Sequence, residues 1–362
     1  MAKRSDQIKQ QLRRSTGVVP RWDFGLSSGS TLLNLACTAD PDVAFWPGTY
    51  TLFVGDSDSG KTFIGLTCFA EAAINPAFKD YRLIYDAPEG GALMDFERFF
   101  GKAAADRIEP PSVVDGVPHN SRTAQEFYRH LDDLFKAGKP FVMVLDSQDC
   151  LSSDEEIKKF EKSKAPKKKD QEQAGSYGDS KAKVHSANLR RVLGPIQDTG
   201  SILIIINQTR DSFDMFNPST YSGGRALKFY ATLQLWSKQA GKINRNVRGK
   251  ERELGINAKI QVKKNRVTGR DRTVQVPIFH SLGISEVDSL VDYLVSEKVW
   301  KMDDGIVSVI GLGPEFDMRK EKLVQKIEAE DQVGDVRDLV VETWNEIEKS
   351  CEVERRSRYG KV

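Results

Sequence analysis

The 362-residue chain has few cysteines, no long apolar run and almost no excess charge. Its four cysteines, Cys37, Cys68, Cys150 and Cys351, form no C-x-x-C pair, which argues against a structural zinc. Three of them sit in apolar neighbourhoods, as buried thiols do, so a reducing, cytoplasmic setting is expected. No apolar stretch approaches the roughly 18 residues that cross a bilayer, so no membrane partner is expected. The opening MAKRSDQIKQQLRRSTG carries basic residues with no apolar stretch behind them and does not read as a secretory leader. Net charge is only +2, so partners must be read from where charge is placed rather than from its sum. No internal repeat is visible. The apolar fraction of 39% and charged fraction of 29% are those of an ordinary folded protein, and the length favours two units.

What is present is concentrated at residues 55–62, GDSDSGKT, a complete G-x-x-x-x-G-K-[ST] pattern. The β-prone run Thr51-Leu52-Phe53-Val54 precedes it, and Phe63 to Ala70 continues as an apolar helix. Strand, glycine loop and helix are the context this pattern needs. Gly55 and Gly60 let successive N–H groups converge at a helix N-terminus, with Asp56, Ser57, Asp58 and Ser59 between them. Lys61 supplies a point charge for β- and γ-phosphates, and the Thr62 hydroxyl is a ligand for Mg²⁺. The pattern predicts a nucleoside-triphosphate site.

Around it, short apolar runs alternate with helical stretches from Gly25 to about Gly269, the pattern of a mostly parallel sheet flanked by helices. Strands are expected at 52–54, 82–85, 141–145 and 202–206, with two more at 232–236 and 259–263. Ligands in such sheets bind at the carboxyl ends of strands. Two stretches interrupt the alternation, the lysine-dense 152–183 and the aromatic 209–224; long loops of this kind are functional or mobile, and both are expected to bind DNA, with a solvated surface the rival reading of the lysine run. Residues 1–25 read as a polar helical arm, expected to pack on the core or on another subunit and so to serve oligomerisation. Thr273–Phe279 reads as a strand, with Pro277 placing it at a sheet edge. Helices are expected at about 285–297 and 316–350, the latter with Leu323, Ile327, Leu339, Val340, Trp344 and Ile347 as its apolar positions. The division expected is an arm over 1–25, a core over 26–270 and a small α/β domain over 271–362.

Three further elements carry chemistry. The apolar strand Phe141–Leu145 ends in Asp146, a carboxylate expected to hold the metal of a phosphate site either directly or through an intervening ligand. Residues 82–89, RLIYDAPE, put Asp86 and Glu89 at a neighbouring strand end. Glu89 is the candidate general base, with Asp86 next; the plainer and less favoured reading of either is a solvated loop acid. Asn207-Gln208 follows the very apolar 201–206, where an amide has no packing reason to be; it can sense a γ-phosphate and pass its presence to the loop that follows.

Residues 207–231, NQTRDSFDMFNPSTYSGGRALKFYA, closely resemble the second DNA-binding loop and following helix of the RecA family of recombinases. FGLSSGSTLLNLA at 24–36 resembles that family's approach to the phosphate loop, and VKKNRVTGR at 262–270 its late basic strand. The resemblance covers residues 24 to about 300, and its layout is similar to that of bacteriophage members. It implies a RecA-like P-loop NTPase core that binds ATP with Mg²⁺ and polymerises as a helical filament on single-stranded DNA. Double-stranded DNA would be the partner for pairing and strand exchange, and DNA would stimulate hydrolysis. A ring-forming DNA motor, or a non-catalytic mediator that keeps ATP as a switch, are the alternatives.

By residue, the resemblance makes Gln208 the link between γ-phosphate and DNA-loop order. It puts Arg210, Phe213, Met215, Phe216, Gly223, Gly224 and Arg225 on single-stranded DNA, although Phe213 and Phe216 could instead fold onto the domain. Guanidinium groups neutralise phosphate, and an apolar side chain wedges between stacked bases. Phe229 falls at a subunit interface, and Lys264 and Arg266 reach a neighbour's nucleotide. The chain departs from the family in three places. Pro88 shifts the acidic turn, the 152–183 segment is longer and richer in lysine, and the region after 300 matches only loosely.

Overall fold

The structure, a computed structural model, describes residues 23–90, 93–163, 178–211 and 219–355. The expected arm lies almost wholly outside the described residues, as do Phe213, Met215 and Phe216. The described chain divides into two compact units, one ending at Ile284 and one beginning at Ser285.

In the first unit, helix α1 (Thr31–Thr38) is capped by the Ser30 side chain, and Ala39 closes it in the left-handed region. Strand β1 (Thr49–Gly55) runs into helix α2 (Lys61–Ile74). Strand β2 (Arg82–Asp86) leads to short helices α3 (Phe96–Phe100) and α4 (Lys102–Ala105), strand β3 (Ile108–Glu109), and the hairpin β4 (Ser112–Val114) and β5 (Val117–His119). Helix α5 (Ala124–Lys136) opens on a capping box, Thr123 with Glu126, and buries one face of Phe127, Tyr128, Leu131 and Leu134. Strand β6 (Phe141–Leu145) is buried throughout.

The lysine-dense segment is not structureless at its ends. Helix α6 (Asp154–Ser163) and the start of α7 (Gly178–Thr199) occupy both flanks of 152–183. The second long loop is likewise shorter than expected. Strand β7 (Ile202–Asp211) extends through Gln208 and Thr209, and β8 (Ser219–Tyr221) pairs back onto it. Helix α8 (Arg225–Tyr230) follows. Strands β9 (Leu233–Val247) and β10 (Lys250–Asn265) form a long antiparallel pair, and β11 (Thr273–Phe279) and β12 (Gly283–Ile284) complete the unit.

Among the described residues these strands make one ten-stranded sheet, ordered β12-β11-β10-β9-β1-β7-β6-β2-β3, with β8 on β7. The run from β9 to β3 is parallel, and β10 to β12 join antiparallel. The expected α/β class is therefore observed. All of β6, Leu52–Val54 of β1 and Ile202–Ile206 of β7 are unbroken runs of Leu, Ile, Val, Phe and Met because both faces of a parallel sheet are covered by helices. Leu52, Val54, Met143, Leu203 and Ile205 meet α5 and α7 on one face in a continuous core. The boundary expected at residue 270 moves to 284, since β11 pairs with β10 along its whole length, from Gly255–Phe279 to Gln261–Thr273. Pro277 costs little there, because β12 reaches only Ile278 and Phe279.

The second unit holds helix α9 (Glu286–Ser296), a three-stranded antiparallel sheet of β13 (Lys301–Asp303), β14 (Ile306–Val309) and β15 (Phe316–Arg319), and helices α10 (Lys320–Ala329) and α11 (Val333–Ser350). The helical stretch expected over 316–350 opens with strand β15 and continues as two helices. The break comes at Asp331, whose φ of 56° no helix accommodates. Leu323, Ile327, Val336, Val340 and Trp344 are buried, and the indole of buried Trp300 donates to the Ile310 carbonyl at 2.8 Å.

Candidate functional site

The strand order puts the carboxyl ends of β1, β7, β6 and β2 side by side along one sheet edge. Residues far apart in the chain therefore converge: the 55–62 loop, Asn207-Gln208, Asp146 and the 86–89 turn. Gly55 stands opposite Gln208 in the β1–β7 register.

The phosphate-loop pattern folds as a tight nest. Gly60 has φ 84°, and a Cβ there would meet Ile278 Cδ1 at 2.5 Å, so only glycine fits. Ser59 is pinned on both sides: its hydroxyl donates to the Asp56 carbonyl at 2.7 Å and its carbonyl accepts from Ser237 Oγ at 2.6 Å. No side chain caps the N-terminus of α2, so its first-turn amides face the loop without a side-chain acceptor. The buried Lys61 ammonium folds back onto the Asp56 carbonyl and Ser59 Oγ. Burial lowers its pKa, while Asp146, Asp56, Glu89 and Asp149 oppose that shift. A cation held by a backbone carbonyl beside amides that no side chain caps is arranged to take an anion in the carbonyl's place.

Asp146 is buried, and burial raises its pKa against hydrogen bonds from Thr62 and, at 3.2 Å, from the Tyr85 hydroxyl. Thr62 and Asp146 are thus in direct contact, and a hydroxyl beside a carboxylate is a hard-oxygen donor pair that fits Mg²⁺. An aromatic wall stands next to them. Phe63 packs edge-on against Phe99 at 5.6 Å and beside Phe100 at 5.1 Å, with the Arg98 guanidinium over Phe99.

The two acids of the 86–89 turn separate cleanly. Asp86 is fully buried and both its oxygens are taken by Ser121, Oδ1 by the backbone N–H at 2.8 Å and Oδ2 by the hydroxyl at 2.5 Å. Burial pushes its pKa up to about 6. It anchors the turn and cannot face a water. Glu89 is exposed, accepting from Ser147 Oγ and from Gln208 Nε2, each at 3.3 Å.

The second loop is fastened at both described ends. The Thr209 hydroxyl donates to the Asp56 carboxylate in the phosphate loop. The Gln208 N–H donates to Asp149 Oδ2 at 2.6 Å, and Arg210 pairs with Asp149 Oδ1 at 3.3 Å. On the far side, the Ser222 hydroxyl donates to Asp149, and Asn207 Nδ2 donates to the Ser222 carbonyl at 2.9 Å. Gly223, with φ 90°, lies so close to Gln148 that a Cβ would meet its Nε2 at 2.8 Å. Gly224 abuts Ala182 in the same way.

Sequence reasoning missed Asp149, Thr209, Ser121 and Ser222. Only the position of Asp149, three residues past Asp146 at the end of β6, hinted at it. Not every expected residue joins the site. Lys264 donates to the carbonyls of Lys228 and Phe229 at 2.7 and 2.8 Å, and Arg266 to Phe229 at 2.8 Å, so both cap the C-terminus of α8. Burial, with Arg266 and Lys228 nearby, lowers the Lys264 pKa to about 8. Arg225 and Phe229 are solvent-exposed on α8. No helix among the described residues is long and apolar enough to cross a membrane.

Comparison with known proteins agrees with this geometry. The family description "RecA N-terminal domain" matches residues 119–285. Protein RecA of Cytophaga hutchinsonii is 29% identical over 248 residues, 66% of this chain and 60% of that protein. Protein RecA of Chlorobaculum parvum is 28% identical over 280 residues, 75% of this chain and 69% of that protein. The first match therefore spans less than two thirds of the relative's own length. The crystal structure of the RadB recombinase superposes with a TM-score of 0.47 at 18% identity, covering 72% of this chain and 98% of that one, too loose a likeness to carry weight. The chain is thus similar to the RecA N-terminal domain over residues 119–285, and to these RecA proteins over two thirds to three quarters of its length.

Proposed function

We propose that this protein is an ATP-dependent recombinase that assembles on single-stranded DNA, pairs it with double-stranded DNA, and hydrolyses ATP when DNA is bound. The observation that carries the reading is the pair of bonds leaving the phosphate site for the second loop, Thr209 to Asp56 and Gln208 to Glu89. The two residues that receive them flank a triphosphate in the phosphate-loop reading, and the two that donate begin the loop assigned to DNA.

The α2 amides and Lys61 would bind the β- and γ-phosphates, Lys61 exchanging the Asp56 carbonyl for phosphate oxygen. Thr62 and Asp146 would hold Mg²⁺, which supplies charge neutralisation on the phosphate oxygens when bound. Glu89, steadied by Ser147 and Gln208, accepts a proton from the attacking water. Gln208 is shared between the acid and the loop, so a γ-phosphate that draws its amide away from Glu89 changes the tension on Arg210 and the residues after it. Backbone-directed contacts from Arg210, Arg225 and the 223–224 glycine amides give affinity with weak sequence preference. Lys264 and Arg266 would exchange their α8 carbonyls for a neighbour's nucleotide on assembly, which makes a helical homo-oligomer the active form. A cytoplasmic setting follows from that role.

The test is hydrolysis with and without single-stranded DNA, together with electron microscopy of the ATP-bound complex. DNA-stimulated turnover and helical filaments are expected; closed rings, or turnover indifferent to DNA, would overturn the reading.

A further inference from the structure

Beneath the second loop lies a chain of buried polar groups that no phosphate site requires. The Tyr128 hydroxyl of α5 is 2.9 Å from His185 Nδ1 of α7, and His185 Nε2 is 3.0 Å from the Gln148 amide nitrogen. The other end of that amide is 3.2 Å from Ser222 Oγ, which also bonds Asp149. Tyr128, His185 and Gln148 are at most 2% exposed. Polar groups this deep persist only when each proton has an acceptor.

Proton counting gives the chain a direction. Ser222 has one hydroxyl proton, and the charged Asp149 carboxylate is its stronger acceptor. The Gln148 amide must then donate to Ser222 Oγ, which it does when turned end for end within the same outline. Its oxygen now accepts from His185 Nε2–H, and His185 Nδ1 accepts from the Tyr128 hydroxyl. Every donor from Tyr128 to Asp149 points the same way. Burial drives the His185 pKa down to about 3, so the ring stays neutral and keeps this tautomer.

The two ends of this chain matter. Asp149 already holds Gln208 and Arg210 on the entering arm of the second loop, and Ser222 on the leaving arm. His185 belongs to α7, the helix that follows the lysine-dense stretch. Its neighbour Lys181 fastens the same turn, donating to the Leu151 carbonyl at 2.9 Å, and Ala182 abuts Gly224. We propose that Gln148 and His185 are positioning residues that lock Ser222 and Gly223, on the leaving arm of the second loop, to α7, so that the affinity for single-stranded DNA depends on this buried chain. This rests on the recombinase reading above and deepens it: residues away from the polynucleotide set how firmly Gly223 and Gly224 are presented to it.

Gln148→Met keeps the side chain's length and removes both hydrogen bonds. In the full-length protein, the concentration of single-stranded DNA giving half-maximal ATP hydrolysis should rise about tenfold, as expected for losing a buried polar link. The DNA-free rate, the KM for ATP and the maximal DNA-stimulated rate should stay within about twofold, which a merely structural defect would not spare. Tyr128→Phe, losing one hydroxyl, should move the same half-point about threefold in the same direction. It serves alone if Gln148→Met does not fold. A stimulated wild type whose half-point is unmoved by the variants overturns this inference and leaves the recombinase reading standing. A wild type that DNA does not stimulate overturns both.

Discussion

Gln208 Nε2 donates to Glu89 Oε1 at 3.3 Å, joining the tip of one parallel strand to the acidic turn after another, 119 residues away in sequence. In the proposed function this contact would let one side chain couple a terminal phosphate to DNA affinity. Removing it by Gln208→Ala should leave ATP affinity within about threefold and reduce the ATP-dependent gain in DNA affinity by at least about tenfold. Fluorescence anisotropy of a labelled oligonucleotide, with and without nucleotide, reads the difference.

Glu89→Gln tests the proton acceptor. Nucleotide binding should persist while DNA-stimulated turnover falls about 100-fold or more, the usual worth of a general base. Wild-type turnover in that variant would remove Glu89 from the chemistry. Asp86 would not inherit the role, because Ser121 occupies both its oxygens.

Asp86 instead sets a pH dependence of stability. Its folded pKa is raised from 3.8 to about 6 by burial, so the folded chain binds its proton more tightly than the unfolded chain does. The stability this confers is complete below about pH 4 and is lost as pH rises through about 6. Asp86→Asn should therefore flatten the decline in unfolding free energy across that window, by roughly 3 kcal/mol at most. Urea titrations at pH 4.5, 5.5 and 6.5 (about one unit apart, spanning the shift) follow it. Parallel pH profiles for the two proteins would contradict the burial argument.

Lys264 and Arg266 can be tested by mixing. The double variant Lys264→Ala, Arg266→Ala and the single variant Lys61→Ala should each hydrolyse poorly alone. Randomly co-assembled, about a quarter of neighbouring pairs join an intact phosphate loop to intact basic residues, and activity should return in that proportion. Absence of recovery would confine both residues to capping α8.

Much of the sheet was legible because buried parallel strands are unbroken apolar runs. Phe141–Leu145 and Thr273–Phe279 appear at their expected bounds. The β9–β10 pair was read only as 232–236 and 259–263, since beyond Trp236 and before Ile256 its side chains are mostly exposed on both faces and leave no alternation to detect. Helix α6 was hidden by its composition: charged residues cover it, and Ile157 and Phe160 are exposed. The phosphate loop, Asp146 and Gln208 could be found because each follows a strong local pattern. Asp149, Ser121 and His185 could not, because their partners lie 35 to 73 residues away and only the fold brings them together.

The most direct test of the whole account is the affinity for unpaired polynucleotide in three states: empty, ADP-loaded and loaded with a non-hydrolysable ATP analogue. Coupling through Gln208 predicts binding at least about tenfold tighter in the triphosphate state than in either of the others. Equal affinity in all three would contradict it.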